Sequence, residues 1–103
     1  MYRVAVCYGE PTDPAAFDEY YSKTHTPIAL TIPGLARFTA GKCEAPGGAP
    51  APYYMVANLY FDTEADLQKA LTSPEMAKAG KDVANFATGG ATIFTQEEEV
   101  ILG

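Results

Sequence analysis

Large apolar residues open the chain on alternate positions, Tyr2, Val4, Val6 and Tyr8 against Arg3, Ala5 and Cys7, which is the period of a β-strand. After a loop from Gly9 to Thr12 the period changes. Phe17, Tyr20, Tyr21, Thr24 and Ile28 recur at helical spacing behind Asp13-Pro14, an N-cap followed by proline at the first helical position, so a first helix begins there. Pro27 has no N–H to offer the Lys23 carbonyl and its ring crowds that turn. The helix is therefore expected to end, kink or restart near Thr26, with Thr26-Pro27 resembling a new cap. Ile32-Pro33-Gly34 closes the segment, and Leu35 to Glu44 read as a second strand with Phe38 on one face and Leu35 and Cys43 on the other. The prolines and glycines between Ala45 and Pro52 predict an exposed loop.

Tyr53 to Phe61 carries the strongest strand signal, because Asn58 is its one residue that is not apolar. Asp62-Thr63-Glu64 starts a helix with Leu67, Ala70 and Leu71 on its apolar side, and Ser73-Pro74-Glu75-Met76 restarts it with a second cap and proline, Val83 and Phe86 continuing the stripe. Thr88-Gly89-Gly90 ends it. Ala91 to Thr95 form a last strand, and Val100-Ile101-Leu102 make an apolar tail. The order β-α-β-β-α-β predicts an α+β, ferredoxin-like fold: one four-stranded, mostly antiparallel sheet with its helices on one face.

A sheet covered on one side should alternate apolar with polar, yet the third strand puts Tyr53, Met55, Ala57, Leu59 and Phe61 on one face and Tyr54, Val56 and Tyr60 on the other. At about 25 cal/mol per Å² of apolar area, leaving such a face wet forfeits several kcal/mol. A second copy packed sheet to sheet is the simplest cover and makes a C2 homodimer, a dimeric α/β barrel. The alternative is a monomer whose own loops shield the face.

Thirteen acidic residues against seven basic ones, with no cluster of Lys or Arg, argue against nucleic acid or an anionic membrane surface as partner. No apolar stretch approaches the ~20 residues that span a bilayer, and the alternation after Met1 does not resemble a signal peptide, so a cytoplasmic location is expected. Cys7 and Cys43 fall inside predicted strands without Cys-x-x-Cys spacing. Two buried, reduced thiols are the simplest reading, a disulfide or a nucleophile the alternatives. Glu97-Glu98-Glu99 reads as a solvated patch.

His25 is the chain's one histidine and, with an unperturbed pKa near neutrality, the first candidate for moving protons without a cofactor. Its other role is to cap free carbonyls at the break before Pro27. Spacing pairs no carboxylate with it: Asp18 and Glu19 are not four residues away, which leaves a distant partner that folds alongside. Tyr8, Tyr21, Tyr54 and Tyr60 can orient a phenolic or carbonyl oxygen in a cleft, or simply pack. Asn58 needs hydrogen bonds wherever it is buried, from a ligand or from neighbouring backbone. One histidine without a Cys pair supports no metal site, and no glycine-rich turn follows a strand as a dinucleotide site requires.

The run Tyr21, His25, Pro27, Ile28, Ala29 and then Ile32 to Leu35 resembles the N-terminal signature of the EthD proteins, small dimeric α/β-barrel chains named after ethyl tert-butyl ether degradation. The resemblance extends over the order of elements, implying a single EthD-like domain over residues 1–103. It implies that His25 faces a pocket as acid or base; Tyr8, Tyr21, Asn58 and Tyr60 are the ligand-binding candidates on their own side-chain chemistry. The expected ligand is a small apolar organic compound. Isomerase, cyclase or decarboxylase chemistry would suit such a cofactor-free site, and the family is also described in accessory, oxidoreductase-type roles in degradation. A non-catalytic binding or carrier protein is the alternative.

Overall fold

In the computed structural model, which describes residues 1–103, the alternating runs form one sheet. Strands β1 (Tyr2–Tyr8), β2 (Arg37–Lys42), β3 (Met55–Phe61) and β4 (Ala91–Glu97) lie in the order β2-β3-β1-β4, and every neighbouring pair is antiparallel. This is the ferredoxin-like arrangement expected from the element order.

Helix α1 (Pro14–Tyr20) starts where Asp13 accepts the Ala16 N–H at 3.1 Å. A π-helical turn, Tyr21–His25, comes next, then the short α2 (Thr26–Ala29). The helix thus restarts at Thr26 without breaking: the Thr26 N–H reaches back five residues to the Tyr21 carbonyl, the wider turn that accommodates the proline. Thr26 does not cap α2, because its hydroxyl also bonds the Tyr21 carbonyl, at 2.8 Å. Thr63 caps α3 (Glu64–Leu71), and Ser73 caps α4 (Pro74–Val83), each through its hydroxyl at 3.1 Å.

Burial along β3 has period two: Met55, Ala57, Leu59 and Phe61 are buried, whereas Val56, Asn58 and Tyr60 are half-buried. Val4 opposes Leu59 and Val6 opposes Ala57, so these residues share the helix side. There Val4, Phe61 and Leu67 form one core cluster, and Tyr8, Phe17, Tyr21 and Phe86 another. Each buried large side chain contributes on the order of 1.5–3 kcal/mol. Strand β4 is exposed along its whole length.

Three expectations change. Tyr54 precedes β3 at a bend and does not join Val56 and Tyr60; its ring packs edge-on to Phe17 at 5.2 Å, and its hydroxyl donates to Asp18 at 2.7 Å. The open face is mixed and not uniformly oily, because the flanking strands add exposed Arg37, Thr92 and Gln96 and half-buried Thr39 together with Phe94, 44% exposed, and the Arg37 guanidinium lies over the Tyr60 ring. Cys43 falls just beyond the end of β2 and is half-buried, not buried within a strand, whereas Val100, Ile101 and Leu102 form the expected apolar tail, 79%, 91% and 97% exposed.

Candidate functional site

The π turn places the rings of Tyr21 and His25 side by side, 5.4 Å between centroids. Helix α4 supplies what spacing could not. Met76, Ala79, Val83 and, just beyond the helix, Phe86 form its apolar stripe, and Asp82 sits among them. His25 Nδ1 and Asp82 Oδ2 are 2.8 Å apart, 57 residues separated in sequence, and the two residues are only 5% and 8% exposed. The other carboxylate oxygen accepts from the Tyr20 hydroxyl at 2.6 Å and from Asn85 Nδ2 at 3.0 Å.

Burial alone would raise the Asp82 carboxyl, but hydrogen bonds from Tyr20, His25 and Asn85 outweigh it and hold the group below the usual carboxylate range. An ionised carboxylate can only accept, so the proton between the pair belongs to Nδ1. When the imidazole is neutral, its Nε2 lone pair is free for other work. His25 is therefore fixed through its ring by Asp82 and does not serve as a carbonyl cap.

His25 lines a cavity of about 60 Å³ between helices and sheet, 13 of whose 15 lining residues are hydrophobic. Val4, Val6 and Tyr8 form its floor from β1, while Gly80 of α4 and Ile93 of β4, both solvent-exposed, stand at its rim. Tyr21 also lines it, and the Tyr21 hydroxyl is buried without a partner. Burial pushes the Tyr21 phenol up to about 12 and that of Tyr8 higher still, so both remain protonated at neutral pH.

Of the five residues singled out from the sequence, the structure brings together His25, Tyr8 and Tyr21. Asn58 and Tyr60 are not with them. Strand parity turns both to the open face, where Asn58 Nδ2 donates to Thr39 Oγ1 at 3.2 Å and Tyr60 lies beneath Arg37 at 5.7 Å. Asn58 Oδ1 is buried there without a partner. Asp82, Tyr20 and Asn85 were not among the candidates; the signal for Asp82 was an acid set on an otherwise apolar helical stripe. No three His, Cys, Asp or Glu side chains converge as metal ligands would, and no helix is long and apolar enough to cross a membrane.

The EthD domain family matches residues 9–90. An uncharacterized 11.0 kDa protein in the thcB-thcC intergenic region of Rhodococcus erythropolis is 49% identical over 102 residues, covering 99% of each chain. The crystal structure of an ethyl tert-butyl ether degradation (EthD) family protein from Bacillus halodurans C-125 superposes with a TM-score of 0.88 at 33% identity, over 96% of this chain and 99% of that one. A dimeric ferredoxin-like protein of unknown function from Thermobifida fusca YX shares the fold, with a TM-score of 0.69 at 15% identity over 94% and 90% of the two chains.

Proposed function

The chain belongs to the EthD family, and from there we propose that it works as a homodimer that binds a small, largely apolar organic compound between helices and sheet and moves a proton on it. His25 is the general acid/base and Asp82 the residue that orients and charge-balances it. Isomerisation, cyclisation or decarboxylation, each possible without a cofactor, are the matching reaction types, in an accessory role in breakdown of organic compounds. The observation that carries this reading is the 2.8 Å contact between His25 Nδ1 and Asp82 at the wall of an apolar cavity. A carboxylate behind an imidazole fixes its tautomer and stabilises the imidazolium that forms when Nε2 takes a proton. The low-polarity surroundings strengthen both effects.

The dimer is supported by the uncovered sheet face, by the unpartnered Asn58 Oδ1 on it and by the dimeric state of the Thermobifida fusca relative of the same fold. A cytoplasmic setting agrees with two free thiols, Cys7 buried and Cys43 half-buried.

The test screens small carbon acids for proton–deuterium exchange catalysed by wild type and by His25→Gln, with ligand affinity measured in parallel. Loss of exchange with affinity kept within about threefold supports catalysis. Binding without any exchange in the wild type makes the protein a carrier and refutes the proposal.

A further inference from the structure

Three buried side-chain polar atoms lack a hydrogen-bond partner, Arg3 Nε, Asn58 Oδ1 and the Tyr21 hydroxyl, and of these only Tyr21 lines the cavity. Tyr21 is 8% exposed, its ring held between Phe17 at 5.9 Å and Tyr8 at 5.8 Å, so the hydroxyl is fixed in place and not free to turn to water. A buried hydroxyl costs free energy unless something accepts from it. The geometry points to a ligand oxygen as the missing acceptor.

The surroundings narrow that oxygen. No lysine or arginine lines the cavity, and the chain carries a net charge of −6, so an anionic carboxylate or phosphate has no counter-charge there. Burial keeps the phenol protonated at neutral pH, which makes it a donor. A neutral acceptor remains, and beside it stands a base: the Tyr21 and His25 rings are 5.4 Å apart.

We propose that Tyr21 donates a hydrogen bond to a carbonyl oxygen, and that the ligand class of this cavity is a small, neutral, enolisable ketone or aldehyde held with its α-carbon towards His25 Nε2. This rests on the proton-transfer role of His25 given above. In the step, the Nε2 lone pair takes the α-proton, the C–H electron pair becomes a carbon–carbon double bond, and the carbonyl π pair moves onto oxygen. Tyr21 keeps its proton and stabilises the charge growing on that oxygen. The imidazolium then returns the proton to the same carbon, or to a conjugated one, and nothing is oxidised or reduced.

The probes are cyclopentanone and methylenecyclopentane, which differ in shape only by an oxygen exchanged for a methylene. Affinity is read by protein NMR titration, and α-proton exchange in deuterium oxide by the loss of the ketone signal. The wild type is expected to bind the ketone about threefold to tenfold more tightly than the alkene, the worth of one neutral hydrogen bond. Tyr21→Phe should erase that preference, slow exchange by about 10²-fold, and leave the thermal midpoint unchanged or raised, since it removes an orphan hydroxyl and keeps the ring. A measurement free of any variant is the infrared carbonyl stretch of bound cyclopentanone, expected below its frequency in hexane. Equal affinity for the two probes, a preference that survives Tyr21→Phe, or an unshifted stretch overturns the proposal while exchange dependent on His25 leaves the earlier reading intact. Ketone preference dependent on Tyr21 with no exchange above buffer upholds the carbonyl contact and overturns proton transfer by His25.

Discussion

Replacing Asp82 with asparagine changes no more than one atom and one charge, yet it acts on three hydrogen bonds. The carboxylate accepts from His25 at 2.8 Å, Tyr20 at 2.6 Å and Asn85 at 3.0 Å. Bonds to a charged group are worth about 1.5–3 kcal/mol and neutral ones about 0.5–1.5 kcal/mol, so weakening three, with one oxygen now an NH₂ facing donors, should cost about 2–4 kcal/mol. The kinetic effect is separate. If the amide nitrogen turns to His25 Nδ1, the imidazole proton moves to Nε2 and the cavity loses its base; if the oxygen does, the imidazolium loses its counter-charge. Either way proton exchange should fall about 10²- to 10⁴-fold with ligand affinity little changed. The pH profile carries a further mark. Because the folded-state value of Asp82 is depressed, its contribution to stability is full above about pH 4, the unfolded carboxylate range, and is lost as pH falls through the folded value. Thermal melts from pH 7 to pH 2 should therefore show a shallower acid limb in Asp82→Asn than in the wild type. Imidazole ¹⁵N shifts report the tautomer. An Asp82→Asn protein that keeps its Nδ1-protonated tautomer, its exchange rate within twofold and its acid limb would refute the coupling of Asp82 to His25.

Gly80 lies in the interior of α4 at the cavity rim, and a Cβ there meets nothing within 4 Å; Gly80→Ala should stabilise the protein by about 0.5–1 kcal/mol in urea melts, whereas Gly80→Leu should block ligand entry in NMR titrations. Gly9 and Gly89 approach backbone to backbone, and a Cβ on Gly9 would strike the Gly89 backbone, one on Gly89 the backbone of Gly9 and Glu10. Gly89→Ala is accordingly expected to lower stability by about 2 kcal/mol or more in the same melts. Sedimentation equilibrium at micromolar concentration should return twice the 11.0 kDa chain mass, and Val56→Asp, on the open face, should shift the protein towards the monomer.

Most of the fold could be read along the chain because its signals are local. Asp13-Pro14, Thr63-Glu64 and Ser73-Pro74 announce helix starts that the structure contains, and the near-continuous apolar run ending at Phe61 announces the third strand, whose burial alternates from Met55 to Phe61. Where local signals compete, the reading falters. Pro27 announces a break, but a widened turn costs less than ending a helix whose aromatic side is already buried, so the chain runs on. Tyr54 obeys the alternation in sequence and loses it in space, since the Asp18 carboxylate and the Phe17 ring draw it to the helices. The candidate site was half legible. Parity alone separates Asn58 and Tyr60 from a cleft beneath the helices, since that cleft meets only the odd positions of β3. Asp82 reaches His25 through the packing of α4 against the π turn, a contact made by tertiary structure and invisible to spacing.

The five-residue turn at Tyr21–His25 makes chain length itself a determinant of the chemistry. An ordinary α-helix advances about 100° per residue, and a turn closed over five residues advances less, so deleting one residue from the stretch 22–24 would let the segment rewind as α-helix with the flanking helices turned little against each other. Tyr21 and His25 would then stand three positions apart on an ordinary helix instead of four on a widened one, and the side-by-side placement of their rings would change with every side chain but the deleted one still present. Among related chains, the geometry of Tyr21 and His25 should follow the spacing between the two positions as closely as it follows their identities.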